Sequence, residues 1–327
     1  MSSPKVAFIT GLPEEVVDVV LGYNPEGWTT EVVYRDAPLE DQKRVVADAD
    51  FIMVYRARLD DDALRAATGV RIVQVLSAGY DSMNLRLMRD LEVPCCNNGG
   101  ANSRAVADHA VLLMLAVYKQ LMAAEKSTRE GRWGQPITGL NTFEMADKLV
   151  GVLGLGNIGR QVAKRVQGFE SRVQYHDLFP LVPELEAELC VTRVGMEELF
   201  ETSDIISVHT PLTPVTRHIV SRELIGLMKP TAVFVNTSRG PVVDESALID
   251  ALREGRIAAA GLDVFEKEPI DPENPLLSMD NVVVTPHSAG TTWDTWFRRA
   301  EFAYENMLGV WNGDAPMAVA QDYDIQD

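Results

Sequence analysis

Leu149-Val150-Gly151-Val152-Leu153-Gly154-Leu155-Gly156-Asn157-Ile158-Gly159 is the stretch on which the reading of this chain turns. A short apolar run, then G-x-G-x-x-G, then the helical stretch Arg160 to Gln167 is the opening of a nucleotide-binding βαβ unit. Gly154 permits the tight turn, Gly156 lets the backbone approach a pyrophosphate, and Gly159 keeps a side chain out of the helix–strand contact. The helix behind them offers free N–H groups and the positive end of its dipole to the phosphates. The next apolar run, Val173-Gln174-Tyr175, leads to His176-Asp177. Asp177 falls roughly 20 residues beyond the glycines, where a carboxylate accepts hydrogen bonds from the adenosine ribose hydroxyls. It would also repel a 2′-phosphate, and Leu178-Phe179-Pro180 follows it rather than an arginine, so the expected cofactor is NAD, not NADP. His176 is given no role.

Outside this stretch the whole chain sets bounds. Its 327 residues have room for two domains with separate cores. No run of about 20 apolar residues reads as a membrane span. Met1-Ser2-Ser3-Pro4-Lys5 leads straight into the strand-like Val6 to Thr10, too little for a secretory signal, so a cytoplasmic protein is expected. Cys95 and Cys96 are adjacent and Cys190 is distant, a spacing that suits neither a disulfide framework nor a metal site. A net charge of −18 opposes binding to nucleic acid or an anionic membrane, which leaves small-molecule chemistry as the expectation.

Before the glycine motif, apolar runs at Val6 to Ile9, Glu31 to Tyr34, Phe51 to Tyr55, Ile72 to Leu76 and Val93 to Cys96 alternate with amphipathic stretches such as Leu39 to Ala47 and Asp61 to Ala67. This is βα alternation with a parallel sheet, in a separate α/β domain. One long helix is predicted from about Arg104 to Arg129, with Asn102-Ser103 as its N-cap. Its apolar face, Ala107, Ala110, Val111, Met114, Leu115 and Val117, is too wide for a surface helix, and is read as a linker helix that also buries surface in a subunit contact.

After the motif, four more apolar runs each end in polar residues: His209-Thr210-Pro211-Leu212, Asn236-Thr237-Ser238-Arg239-Gly240, Gly261-Leu262-Asp263 and Thr285-Pro286-His287. In a doubly wound sheet the C-terminal strand ends line one crevice, where ligands bind, so Arg239, Asp263, Glu268 and His287 are expected to converge there. Their chemistry fits together. Arginine grips a carboxylate with two parallel charged hydrogen bonds. Histidine gives or takes a proton near neutral pH, and a neighbouring glutamate orients its ring and favours its charged form. The set suits reversible hydride transfer to a 2-oxo acid: Arg239 holds the carboxylate and polarises the carbonyl, His287 protonates the alkoxide, and Glu268 supports His287.

These motifs, in this order, resemble the D-isomer-specific 2-hydroxyacid dehydrogenases over nearly the whole chain. Also similar are Val75-Leu76-Ser77-Ala78-Gly79-Tyr80-Asp81, which looks like the family's substrate loop, and Asn102 with Val106-Ala107-Asp108-His109 at the linker helix. The resemblance implies an α/β fold of two doubly wound parallel-sheet domains, a Rossmann cofactor domain inserted into a flavodoxin-like substrate domain. The substrate domain is expected at 1–101 and 289–327, and the NAD-binding domain at 102–288. The resemblance further implies a homodimer and an active site in the cleft between domains. Arg239, Glu268 and His287 match the catalytic trio. The N–H groups of Ser77, Ala78 and Gly79, with Arg239 and Asn102, match substrate-binding positions. Cofactor positions fall on Gly154, Gly156, Asn157, Ile158, Gly159, Asp177, Thr210, Pro211, Thr216, Thr237, Ser238, Asp263, Gly290 and Val106; no metal is implied.

Departures narrow the substrate. Formate dehydrogenases look similar around His287 but have glutamine where this chain has Glu268, and phosphite dehydrogenases have lysine where it has Ala78. Tyr55-Arg56-Ala57-Arg58 is similar to a phosphate-contacting strand end in phosphoglycerate dehydrogenases, although cleft-edge arginines with surface partners read the same way. Trp293 and Trp296 stand where the family has smaller or charged residues, and are read as packing residues. The expected activity is NAD-dependent reduction of glyoxylate, hydroxypyruvate or a similar 2-oxo acid, with 3-phosphoglycerate dehydrogenase as the enzyme alternative. A corepressor-like NAD sensor is the alternative of another class, to be told apart by slow turnover.

Overall fold

The computed structural model describes residues 3–133 and 139–320. The outer parts of the expected substrate domain, Met1-Ser2 and 321–327, lie outside the described residues. The chain divides into two compact units, one ending at Asn102 and resuming at Thr291, the other Ser103–Gly290.

The first unit begins with β1 (Lys5–Thr10), α1 (Glu14–Leu21), β2 (Thr29–Tyr34), α2 (Leu39–Ala47), β3 (Phe51–Tyr55), α3 (Asp61–Ala66), β4 (Ile72–Val75), α4 (Leu85–Asp90) and β5 (Cys95–Cys96). The strands form one parallel sheet in the order β2-β1-β3-β4-β5. Strand β3 shows why a continuous apolar run is required. Phe51, Met53 and Tyr55 pack into a cluster on one face with Phe8 and Trp296, while Ile52 and Val54 pack into a second cluster on the other face with Ile9 and Val73. Burying both faces demands apolar residues at every position, and each large side chain so buried contributes roughly 1.5–3 kcal/mol.

The second unit follows with α5 (Ser103–Tyr118), α6 (Leu121–Arg129), β6 (Leu149–Leu153), α7 (Asn157–Gln167), β7 (Arg172–His176), α8 (Pro183–Leu189), β8 (Val191–Arg193), α9 (Met196–Thr202), β9 (Ile205–Val208), α10 (Arg222–Leu227), β10 (Val233–Asn236), α11 (Glu245–Arg253), β11 (Ala259–Leu262) and β12 (Val282–Val284). Its seven strands, all parallel, run β12-β11-β10-β9-β6-β7-β8. The chain moves outward from β6 through β7 to β8, then returns to lay β9 on the opposite side of β6. The glycine turn after β6 therefore sits at the topological switch point, where open α/β sheets bind ligands. A last helix, α12 (Trp293–Trp311), belongs to the first unit and covers the Phe8–Phe51 face of its sheet.

The single helix expected from Arg104 to Arg129 is two helices meeting at 64°. The break is at Gln120, whose φ of 48° is left-handed and ends the first helix. A glutamine carries none of the glycine or proline signal that would have marked the break. The expected cap is also absent: Asn102 Oδ1 is buried and accepts no hydrogen bond. No single described helix is long and apolar enough to cross a membrane.

Candidate active site

In the Ser103–Gly290 unit, the parallel strands carry their following loops to one edge of the sheet. The turn after β6 needs its glycines for three different reasons. Gly154 has φ +91°, and a Cβ there would lie 3.0 Å from the His209 carbonyl. At Gly159 a Cβ would lie 2.2 Å from Gly154 O, so helix α7 could not approach the strand. At Gly156 nothing lies within 4 Å, so open space faces the start of α7. The first N–H groups of α7, those of Asn157 and Ile158 among them, have no acceptor in their own helix. Asp177, just beyond β7, accepts from Leu155 N (2.7 Å) and Phe179 N (2.9 Å), which fixes its carboxylate beside the glycine turn.

Two further polar atoms lack partners at neighbouring strand ends: Thr237 Oγ1 after β10 and His209 Nδ1 after β9 are both buried. Such atoms are costly unless a ligand completes them. Burial drives the His209 ring down to about 3, so it is neutral, with Nε2 bonded to Ser207 Oγ (2.8 Å). Open space over Gly156, an anchored Asp177 and unpartnered Thr237 fit a bound dinucleotide.

Other expected cofactor residues are turned inward. Thr216 Oγ1 donates to Pro211 O (2.6 Å) and accepts from Thr213 N (2.7 Å), so it shapes the loop. Ser238 N and Oγ both donate to Asn236 Oδ1 (2.9 and 2.7 Å). Thr210 Oγ1 donates to Leu153 O at 3.3 Å. Val106 is buried within α5, and Gly290 is half-buried after the His287 loop.

The structure brings the proton-handling groups together. His287 Nδ1 lies 2.6 Å from Glu268 Oε2, and Phe265 N donates to Glu268 Oε1 (3.1 Å). Burial pushes the Glu268 carboxyl up. The hydrogen bond and charge of His287 outweigh it, with help from Phe265 N and the charge of Arg239, and hold the carboxyl below its ordinary value. His287 and Glu268 side chains keep 44% and 34% of their surface exposed, so the pair is open to a substrate. Arg239 is half-buried and donates from one guanidinium nitrogen to Ser238 O (2.8 Å). Asp263, only 1% exposed, accepts from Thr285 Oγ1 (2.6 Å), Ser288 N and Ala289 N (2.9 Å each).

Three residues of this framework had no role in the sequence reading. Asn236 holds the loop before Arg239 through Ser238 and the Arg239 carbonyl (3.0 Å). An asparagine at a strand end, two residues before a serine or arginine, is an Asx-turn signal that could have found it. Thr285 and His109 meet Asp263 across far separations in sequence, and no local pattern reveals them.

In the other unit, the loop after β4 is held from behind. Ser77 Oγ donates to Gly79 O (2.7 Å), Asn97 Nδ2 to Ala78 O (3.3 Å) and Asn98 N to Ser77 O (3.1 Å). Among the described hydrogen bonds, none is donated by the N–H of Ser77, Ala78 or Gly79. A crevice of about 480 Å³ opens beside this loop, lined by Tyr55, Arg56, Arg58, Ser77, Ser82 and Met83. Trp296 is buried edge-on against Tyr55, as a packing residue should be, whereas Trp293 is 57% exposed and lies edge-on to Phe297. Among the described residues no group of side chains could hold a metal ion.

Comparison with known proteins agrees with this geometry. Residues 111–289 match the D-isomer specific 2-hydroxyacid dehydrogenase, NAD binding domain. The chain is 40% identical over 275 residues to a glyoxylate reductase of Korarchaeum cryptofilum, covering 83% of this chain and 82% of that one. It is 36% identical to a glyoxylate reductase of Aeropyrum pernix, covering 97% and 95%. A glyoxylate reductase structure from Paecilomyes thermophila superposes with a TM-score of 0.85 at 27% identity, over 98% and 99% of the two chains. An acyclic imino acid reductase in complex with NADPH and D-Arg superposes with a TM-score of 0.84, also at 27% identity, over 97% and 100%. With a cofactor turn, a histidine–glutamate pair and relatives of this kind, the chain belongs to the D-isomer specific 2-hydroxyacid dehydrogenase family.

Proposed function

We propose that the protein catalyses the reversible, NAD-dependent reduction of a small 2-oxo acid, of glyoxylate or hydroxypyruvate size, to the D-2-hydroxy acid. The observation that carries this reading is the 2.6 Å contact between His287 Nδ1 and Glu268. An ionised carboxylate only accepts, so Nδ1 carries the proton and Nε2 is left to exchange one with the substrate. In reduction, Nε2–H donates to the alkoxide as it forms, and Glu268 stabilises the charged ring beforehand. Arg239 offers its fork to the substrate carboxylate. By resemblance, the N–H groups of Ser77, Ala78 and Gly79 and the side chain of Asn102 act on the same substrate. When bound, the nicotinamide supplies the hydride.

Asp177 is the residue assigned to the choice of NAD, because its carboxylate would oppose a 2′-phosphate. The names of the curated relatives favour glyoxylate as the substrate. The α5 face expected to make a subunit contact, Ala107, Ala110, Val111 and Met114 with Leu115 and Val117, packs in the core of its own unit, so the exposed Leu112, Leu121 and Met122 on α5 and α6 are assigned to a homodimer contact instead, which sedimentation would test. Initial rates with NADH and NADPH against glyoxylate, hydroxypyruvate, pyruvate, bulkier 2-oxo acids and 3-phosphohydroxypyruvate test the whole reading. Fast turnover of glyoxylate or hydroxypyruvate with NADH is expected. NADPH preference would remove Asp177 from cofactor choice, and tight NADH binding without turnover would favour the sensor. The crevice holding Arg56 and Arg58 favours a second reading, 3-phosphoglycerate dehydrogenase, which a preference for the phosphorylated compound would establish.

A further inference from the structure

His109 lies on α5, more than 100 residues in sequence from Arg239, Glu268 and His287. Its Nε2 is 2.9 Å from Thr285 Oγ1, and its side chain is only 16% exposed. Thr285 Oγ1 donates its single proton to Asp263 Oδ1 at 2.6 Å. The threonine oxygen can therefore only accept from His109, so Nε2 carries the imidazole proton. Asp263 in turn holds three successive N–H groups of the loop after β12. Its carbonyl accepts from His287 N (2.8 Å), and its two carboxylate oxygens accept from Ser288 N and Ala289 N. That loop needs holding. His287 has φ +50°, a left-handed backbone that is strained for a non-glycine residue.

We propose that His109 is a positioning residue for His287, acting through Thr285 and Asp263. The chain of bonds from His109 Nε2–H to Thr285, and from Thr285 to Asp263, fixes the rotation of the Asp263 carboxylate. The carboxylate then holds the N–H groups of Ser288 and Ala289, directly after His287, in the turn that presents the His287 ring to Glu268. Glu268 orients the ring from the side-chain end, and Asp263 orients it from the main-chain end. Without the His109 donor, Thr285 and Asp263 keep their mutual bond but lose the outer anchor that sets its direction. His287 then samples geometries poorer for proton transfer, an effect felt mainly in turnover and only weakly in cofactor affinity, because Asp263 keeps its Ser288 and Ala289 donors.

The inference rests on the proposed role of His287, so its test has an arm that does not depend on activity. The protein has five histidines, few enough for imidazole ¹⁵N NMR of each ring. We expect His109→Leu to shift the His287 ring signals and to lower kcat for glyoxylate reduction about tenfold, with KM for NADH within about twofold. His109→Gln, which keeps a donor near Nε2, should restore both. Unmoved His287 signals in His109→Leu, or a His109→Gln variant as impaired as His109→Leu, would overturn the proposal. A wild-type protein that turns over no 2-oxo acid would sink the reading of the activity instead, while the NMR comparison still decides the link. Should His109→Leu fail to fold, Thr285→Val breaks the same chain, with Thr285→Ser as its rescue, and the same two readouts apply.

Discussion

In the Ser103–Gly290 unit, the polar side chains at the strand ends hold one another before any ligand arrives: Asp263 takes three donors on its carboxylate, Glu268 takes two, and Asn236 ties the Arg239 loop. At the strand ends of the other unit, Arg56 and Arg58 are exposed. Among the described residues Arg56 makes one long side-chain hydrogen bond, to Thr291 Oγ1 at 3.4 Å, and lies over the face of Tyr55. Both sheets are parallel and doubly wound, so the architecture alone does not set this difference. It fits the different tasks proposed for the two edges. Groups that meet developing charge work best when already oriented, because they then need no rearrangement during reaction. Groups that only attract a substrate can stay loose.

If that contrast is correct, breaking the ordered edge should cost most. Replacing His287 with alanine should lower kcat for glyoxylate reduction by about 10²–10⁴-fold, the usual range for a general acid. NADH binding, followed by fluorescence, should stay close to wild type. A variant retaining full turnover would remove His287 from the chemistry. Arg239→Ala comes next, with a loss of at least about 2 kcal/mol, roughly thirtyfold, in kcat/KM, since a charged hydrogen bond to the substrate carboxylate disappears. Unchanged kcat/KM would take Arg239 out of the site.

A pH series sharpens the same side of the contrast. Reduction takes up a proton and hydroxyacid oxidation releases one, so the first should slow and the second quicken as pH rises. On the acid side the sign is set by Glu268. Its carboxyl is held below the ordinary 4.5, so the charged pair survives as pH falls through that value and is lost only further down. Glu268→Gln should abolish this protection and reduce kcat in both directions. Parallel profiles for the two directions would count against the assignment.

The parts of this molecule legible in the sequence were those written in local spacing. The run from Phe51 to Tyr55 announces a strand buried on both faces, and Gly154 to Gly159 announces a turn whose geometry only glycine satisfies. Arg239, Glu268 and His287 could be proposed together because parallel strands deliver the loops that follow them to one edge. What stayed hidden depends on partners distant in the chain. The meeting of His109 with Thr285 spans 176 positions of the chain, and neither residue looks unusual where it stands. Gln120 breaks a helix with no glycine or proline to advertise it. Thr216 and Ser238 sit in the expected motifs, yet their hydroxyls serve the loops that carry them.

The smallest effect is expected at the loose edge. Arg56 is exposed, and its one described side-chain hydrogen bond, to Thr291, is long, so replacing it with alanine should leave the fold intact. For glyoxylate, which carries no phosphate, kcat should not change and KM should rise by no more than about threefold. That rise should shrink with added salt, because an exposed charge acts over a distance that salt screens. With 3-phosphohydroxypyruvate the two readings part. If Arg56 only attracts anions, its loss costs this substrate little more than glyoxylate. If Arg56 and Arg58 grip a phosphate, Arg56→Ala should raise KM for the phosphorylated compound tenfold or more while sparing glyoxylate, since an arginine–phosphate contact is charge-assisted and bidentate. A selective loss of that kind would show that the second edge is also a binding surface, one that becomes ordered only when its ligand is present.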